Sequence, residues 1–203
     1  MTGPEVLNDS TPPVWGCVLI GGNSSRMGTP KHLLEHRGST WLEIAVNKLR
    51  EKVDHVVISG KGVVPSSLTG IQVVQDVPGL KGPLAGVLAI LRWKPEVSWL
   101  VTACDLPDLE AEALDWLLAM RKTETRAILP DLKGNQQLEP LLAYYDASCR
   151  EYLEEIAANG TMRLSMLAGK PGVITPQPPL HLHGSWRNVN SPDEFELDVN
   201  KLQ

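Results

Sequence analysis

Trp15-Gly16-Cys17-Val18-Leu19-Ile20-Gly21-Gly22-Asn23-Ser24-Ser25-Arg26-Met27-Gly28-Thr29-Pro30-Lys31 is the stretch on which the fold turns. Its first six residues form a short apolar run, as expected of a strand covered on both faces. The turn that follows lies at the sheet edge where open α/β folds bind ligands. Gly21 and Gly22 lack a Cβ, so their backbone can approach a phosphate chain and turn N–H groups onto it. Arg26 and Lys31 bring two positive charges to the same loop. Two familiar phosphate motifs do not fit. The dinucleotide pattern needs G-x-G-x-x-G, and the P-loop needs Gly-Lys-Ser/Thr, whereas Lys31 lies between Pro30 and His32. A glycine pair alone would favour an ordinary loop with solvated basic residues by roughly two to one. The whole string, between strand and helix, reverses those odds.

Outward from this loop the chain alternates strands and helices. Helical spacing at Leu42, Ala45, Val46 and Leu49 is opened by Thr40 and Glu43 as a capping box. Val53–Ser59 reads as a second strand and Ile71–Gln75 as a third. Leu84–Trp93 is helical after Gly82-Pro83, and Trp99–Ala103 is a buried strand ending at Cys104-Asp105. Leu109–Met120 repeats the helical period, with Asp108 spaced to cap it. Arg126–Pro130 and Leu138–Tyr145 read as strands, Tyr152–Ala158 and Met162–Leu167 as helices, and Thr175–Gly184 as an exposed loop. Ser191-Pro192-Asp193-Glu194 has the form of a helix start. This order predicts an α/β fold, a mostly parallel sheet with helices on both faces.

At 203 residues and 42% hydrophobic content the chain suits one domain, expected over 15–203 after a disordered lead-in at 1–14. A net charge of -5 argues against nucleic-acid binding, which needs a basic face. No run approaches the ~20 apolar residues of a membrane span. Cys17, Cys104 and Cys149 fit no metal or redox spacing and read as buried thiols, so a reducing cytoplasm is the expected location.

Gly21-Gly22 followed by Arg26-Met27-Gly28 and Lys31 resembles the signature loop of the molybdenum cofactor guanylyltransferases and their nucleotidyltransferase relatives. The resemblance implies a Rossmann-like fold of the nucleotide-diphospho-sugar transferase type. It extends to Gln75-Asp76, to Gly82-Pro83-Leu84-Ala85-Gly86, to Cys104-Asp105-Leu106-Pro107 and to Asn188-Val189-Asn190-Ser191-Pro192, in the family's order and from Gly16 to about Phe195. It implies that Leu19, Ile20, Gly21, Gly22, Lys31, Ser59, Asp76, Gly82 and Asp105 bind the nucleotide. Asp105 would hold Mg²⁺, and Asp105, Lys31 and Arg26 would be the catalytic groups. Asn188 and Asn190 would orient the acceptor or complete the metal shell. The implied substrates are GTP and molybdopterin, with room for transient contact with cofactor-delivery proteins or molybdoenzymes.

Asp105 also has a case from its surroundings. It ends a strand too apolar to be exposed, so its carboxylate faces the ligand crevice. Mg²⁺ is commonly held by one or two carboxylates, with substrate phosphates supplying the rest. His181 and His183, with no third ligand, do not suggest a metal site. Glu110, Glu112 and Asp115 read as a solvated helix face, and the six Trp residues as core or rim packing. The chain departs from the family at three places. Ile20 replaces a common alanine, Ser59 an asparagine, and Leu138-Glu139-Pro140-Leu141 stands where many guanylyl enzymes carry His-Pro. Cytidylyl transfer to the same cofactor, another small phosphorylated acceptor, and a regulator without turnover therefore stay open as alternatives.

Overall fold

Side chains of successive strand residues point to opposite sides of a sheet, and in this chain both sides are apolar. The computed structural model describes residues 12–21, 30–36 and 38–189. Strand β1 (Val14–Leu19) sends Cys17 to one core and Val18 to the other, both fully buried. After it a small hairpin, β2 (Glu35–His36) with β3 (Ser39–Thr40), leads into helix α1 (Trp41–Arg50). The predicted capping box is present. Thr40 Oγ1 accepts from the Glu43 backbone N–H at 3.2 Å, and the Glu43 carboxylate accepts from the Thr40 N–H at 2.6 Å. Then come β4 (Val56–Ser59), β5 (Gln72–Val74), α2 (Pro83–Trp93), β6 (Ser98–Ala103) and α3 (Ala111–Ala119). The remainder is β7 (Ala127–Ile128), β8 (Leu142–Tyr145), α4 (Arg150–Ala158) and β9 (Val173–Ile174).

The main sheet has seven strands in the order β5-β4-β1-β6-β8-β7-β9. β5, β4, β1 and β6 run parallel, and β8 is the antiparallel member between β6 and β7. Helices α2 and α4 cover one face, packing Leu84, Leu88 and Leu153 onto Val57, Trp99 and Val101. Helices α1 and α3 cover the other, with Leu42, Leu49 and Leu114 against Ile58, Leu100 and Tyr144. The mostly parallel sheet with helices on both faces is as the sequence predicts. No helix of the described residues is long and apolar enough to cross a membrane.

Several boundaries move. Val53 does not open a strand, because its N–H bonds back to Leu49 and completes the end of α1. The expected strand Leu138–Tyr145 keeps only its second half. Pro140 has no N–H to give a ladder, and before it only an isolated bridge joins Leu138 to Asp131. Residues 162–167 form a 3-10 turn over Leu164–Leu167 rather than a helix. Thr175–Gly184 is not wholly an exposed loop. From Leu180 to Trp186 it is a 3-10 helix, and it buries Leu182 in the core under α3. Asp108 does not cap α3, which begins at Ala111, since its carboxylate is held by Arg187 at 2.6 Å. The expected helix start at Ser191 and the lead-in up to residue 11 lie outside the described residues, while β1 begins at Val14, inside the expected lead-in.

Candidate active site

Between β1 and β6 the strand order reverses. The chain leaves β1 toward β4 and β5, then returns through α2 to β6 on the other side. In a parallel sheet that reversal opens a crevice beyond the strands' carboxyl ends, and a cavity of about 220 Å³ lies there. Leu19, Ile20 and Gly21 line it from β1, Ser59 from β4, Asp76 from beyond β5, and Ala103, Cys104 and Asp105 from β6. Gly82, Pro83 and Gly86 from the start of α2, with Lys31 and Leu141, complete the wall.

The β1 end is fixed on both sides. Ile20 N–H donates to Ser59 O at 2.8 Å, and Cys104 N–H to Leu19 O at 3.3 Å. These bonds carry the pairing past the strand and leave the next residue, Gly21, at the cavity. Helix α2 comes unusually close to the sheet at Gly86. A Cβ there would stand 2.9 Å from Leu19 Cδ2 and 3.2 Å from Ser59 Oγ. The Ser59 hydroxyl donates to Gly86 O at 3.2 Å, so its one proton fastens α2 to β4. Asp76 borders the same wall, within 3.4 Å of that added Cβ. Burial raises its pKa, with Lys61 opposing.

Across the crevice Lys31 Nζ lies 3.0 Å from Asp105 Oδ2, their side chains 24% and 15% exposed. Asn188 Nδ2 donates to the same oxygen at 3.0 Å, and Val189 N–H donates to Asp105 O. Asp105 is therefore gripped by a segment more than eighty residues later in the chain. Among the described residues both side-chain bonds fall on Oδ2, and Oδ1 accepts none. A hard oxygen donor held in one orientation, beside a cavity, suits a Mg²⁺ ion whose other ligands come from phosphate and water. Among the described residues there is no cluster of three His, Cys, Asp or Glu that could form an all-protein metal cage. Cys104 is no nucleophile here. Burial first, then Asp105 beside it, raise its pKa to about 12, so it remains a thiol.

Of the residues singled out in the sequence, Leu19, Ile20, Gly21, Lys31, Ser59, Asp76, Gly82 and Asp105 share this one cavity. Asn188 joins them through Asp105. Gly22, Arg26 and Asn190 lie outside the described residues. Sequence reasoning read Cys104 only as a buried thiol, and reached Gly86 and Leu141 only as parts of the Gly82–Gly86 and Leu138–Leu141 segments. For Gly86 the signal was the glycine inside an otherwise apolar helix, which asks for a close approach. The groups set aside stay aside. His181 Nε2 pairs with Glu112 Oε1 at 3.0 Å, His183 Nε2 with Pro178 O at 3.1 Å, and Asp115 with Lys52 at 2.6 Å.

Comparison with known proteins finds nucleotidyltransferases. Residues 16–170 match the MobA-like NTP transferase domain. A probable molybdenum cofactor guanylyltransferase from Halalkalibacterium halodurans is 27% identical over 190 residues, covering 89% of this chain and 94% of that protein. One of the same description from Bacillus anthracis is 28% identical over 187 residues, covering 89% and 92%. Among solved structures, molybdopterin-guanine dinucleotide biosynthesis protein A from Archaeoglobus fulgidus superposes with a TM-score of 0.74 at 25% identity, over 93% of this chain and 100% of that one.

Proposed function

The chain belongs to the MobA-like NTP transferase family, and from that premise we propose that it transfers GMP from GTP to the terminal phosphate of molybdopterin, releasing pyrophosphate and forming molybdopterin guanine dinucleotide. The observation that carries this reading is the meeting of Lys31 and Asp105 at 3.0 Å across the mouth of the β1–β6 crevice. A cation and a metal-competent carboxylate are there brought to one cavity of about 220 Å³.

The reaction is an in-line displacement at the α-phosphorus. An oxygen of the acceptor phosphate forms the new P–O bond as the bond to the bridging oxygen of pyrophosphate breaks. The acceptor phosphate is already ionised at neutral pH, so no side chain need take a proton. The chain's task is orientation and charge neutralisation. The backbone from Leu19 through Gly22 positions the nucleotide. Lys31, with Arg26, offsets charge gathering on the departing pyrophosphate. Asn188 holds the Asp105 carboxylate through Oδ2, with Asn190 assigned to the acceptor side or the metal shell. Asp105, with the substrate phosphates, would hold a Mg²⁺ ion, which would supply positive charge against the reacting phosphates.

Asp76 and Gly82 form the opposite wall and are assigned to the nucleoside. Guanine suits a carboxylate, since N1–H and the N2 amino group stand side by side as two donors. Cytosine offers one amino group beside an acceptor. The Ser59 proton is spent on Gly86, so Ser59 adds no donor on that wall. A cytoplasmic location accords with three free, buried thiols.

The test is pyrophosphate release with each of the four NTPs in turn, with Mg²⁺ and molybdopterin. Release with GTP alone supports both reaction and base. Release with CTP alone overturns the guanylyl assignment. No release with any nucleotide favours a regulator that binds without turnover.

A further inference from the structure

His32 follows Lys31 directly and takes no part in the chemistry above. It is only 4% exposed, an unusual burial for a histidine on a surface turn. It sits in the 3-10 turn Lys31–Leu33, whose preceding residue Pro30 gives no side-chain cap. The ring lies over the turn that follows β4. Its Nε2 is 3.0 Å from the carbonyl oxygen of Val63, and a Cβ on Gly62 would stand 2.6 Å from His32 Cε1 and 2.8 Å from Nε2. The same turn receives the other end of the glycine-rich segment. A Cβ on Gly60 would stand 1.9 Å from Ile20 O, and one on Gly62 would stand 3.3 Å from Ile20 Cδ1.

Resting on the nucleotidyl-transfer reading, we propose that His32 is a positioning residue for Lys31: its imidazole pins the carboxyl end of the glycine-rich segment to the Gly60–Val63 turn that already holds the amino end at Ile20, and so sets where the Lys31 ammonium meets the triphosphate. A Lys31 backbone fixed before the ligand arrives lowers the ordering cost of binding. A carbonyl oxygen has no proton to give, so Nε2 is the donor and carries the hydrogen. Burial lowers the ring's pKa, and the bond to Val63 opposes that shift. The fit also explains Gly62 in physical terms, because any side chain there would occupy the space of the ring.

The experiment measures GTP binding by calorimetry in the presence of Mg²⁺, together with kcat and the KM for GTP and for acceptor, in four variants. His32→Ala is expected to raise Kd and KM for GTP about tenfold, the scale of one lost ordering hydrogen bond, with kcat and acceptor KM changed less than about threefold. His32→Gln places an amide N–H where Nε2 was and is expected to return binding to within about threefold of wild type. Gly62→Ala should mimic His32→Ala by displacing the ring. The double variant should be no worse than His32→Ala alone, since the ring it would strike is gone. Unchanged GTP binding in His32→Ala overturns the proposal. So does a His32→Gln protein that folds but binds no better than the alanine variant, or a Gly62→Ala cost that is the same with and without the ring. If His32→Ala does not fold, the glutamine and Gly62 variants decide in the same way. Wild type that binds no nucleoside triphosphate overturns the nucleotidyl reading and this proposal with it, whereas tight binding by wild type and His32→Ala alike removes the pin only.

Discussion

Replacing Asp105 by asparagine separates the charge of this residue from its shape. The amide oxygen can still accept from Lys31 and Asn188, so the network keeps its geometry and loses its anion. At 3.0 Å the gross attraction to Lys31 is roughly 5–6 kcal/mol at an effective dielectric constant of about 20. Desolvation of two ions largely offsets it, and the side chains keep 24% and 15% exposure, so the net loss should fall between the surface and buried limits, about 1–2 kcal/mol. For a chain of this size that is a fall in Tm of roughly 2–8 °C. Turnover should suffer more. Removing a charge that acts on the transition state costs about 3 kcal/mol, near a hundredfold in kcat. Thermal unfolding and pyrophosphate release on the same preparation give both numbers. Turnover within about threefold of wild type in a folded variant would refute the catalytic assignment. A fall in Tm well beyond roughly 10 °C would instead mark Asp105 as a structural support.

Two further outcomes follow from groups that take no part in the proposed chemistry. The Asp146 carboxylate meets a burial penalty that raises its pKa, but bonds from Ser148, Ser98 and Tyr144 outweigh it and leave the pKa lowered. The stability it contributes is therefore present above the ordinary carboxylate pKa and is lost as pH falls through the lower folded value. Asp146→Asn should flatten the acid limb of a Tm-against-pH curve below about pH 4, and an unchanged limb would refute this. The thiols should be silent in the native state. Cys17 is raised further than Cys104 and Cys149, which stand at about 12, all mainly through burial. A thiol-exchange dye at pH 8 should label none of the three before unfolding and all of them after. Rapid native labelling of Cys104 would show the cavity floor to be open.

Much of the fold was legible because its signals are local. The apolar runs at Trp15–Ile20 and Trp99–Ala103, the Thr40–Glu43 capping box and the glycine before Pro83 each depend on a few neighbouring residues. The errors came where distant partners decide. Asp108 has the spacing of a cap, yet Arg187 claims it across 79 residues, and Ser185 supplies the hydroxyl that meets the Glu110 N–H instead. Leu182 stands among prolines and histidines that read as loop, yet it closes the core beneath α3. The short strand β9 has two residues and almost no pattern of its own, and its register is set by β7. The hairpin β2–β3 is equally short and was equally silent.

At the site the division is similar. Residues with a chemical reason to be there, Lys31, Asp76 and Asp105, could be named from the sequence. Residues that make room were named only in part, as at Gly21, Gly22 and the Gly82–Gly86 segment, because room is a property of two segments at once. Gly60 and Gly62 lie beyond β4, forty residues from Ile20 and thirty from His32, and nothing in their neighbourhood announces a partner. Gly86 asks for a close approach in sequence, but that the partners are Leu19 and Ser59 appears only in the fold. The missing Cβ atoms act on the same two strands. Gly86 lets α2 sit against β1 and β4 on one face, while Gly60 and Gly62 let Ile20 and His32 approach the turn beyond β4. The crevice thus has its width set by absent side chains and its chemistry by present ones. A single added methyl group at Gly86 should then alter nucleotide affinity without touching Lys31 or Asp105, because it presses on Leu19, Ser59 and Asp76 rather than on the groups that meet the phosphates.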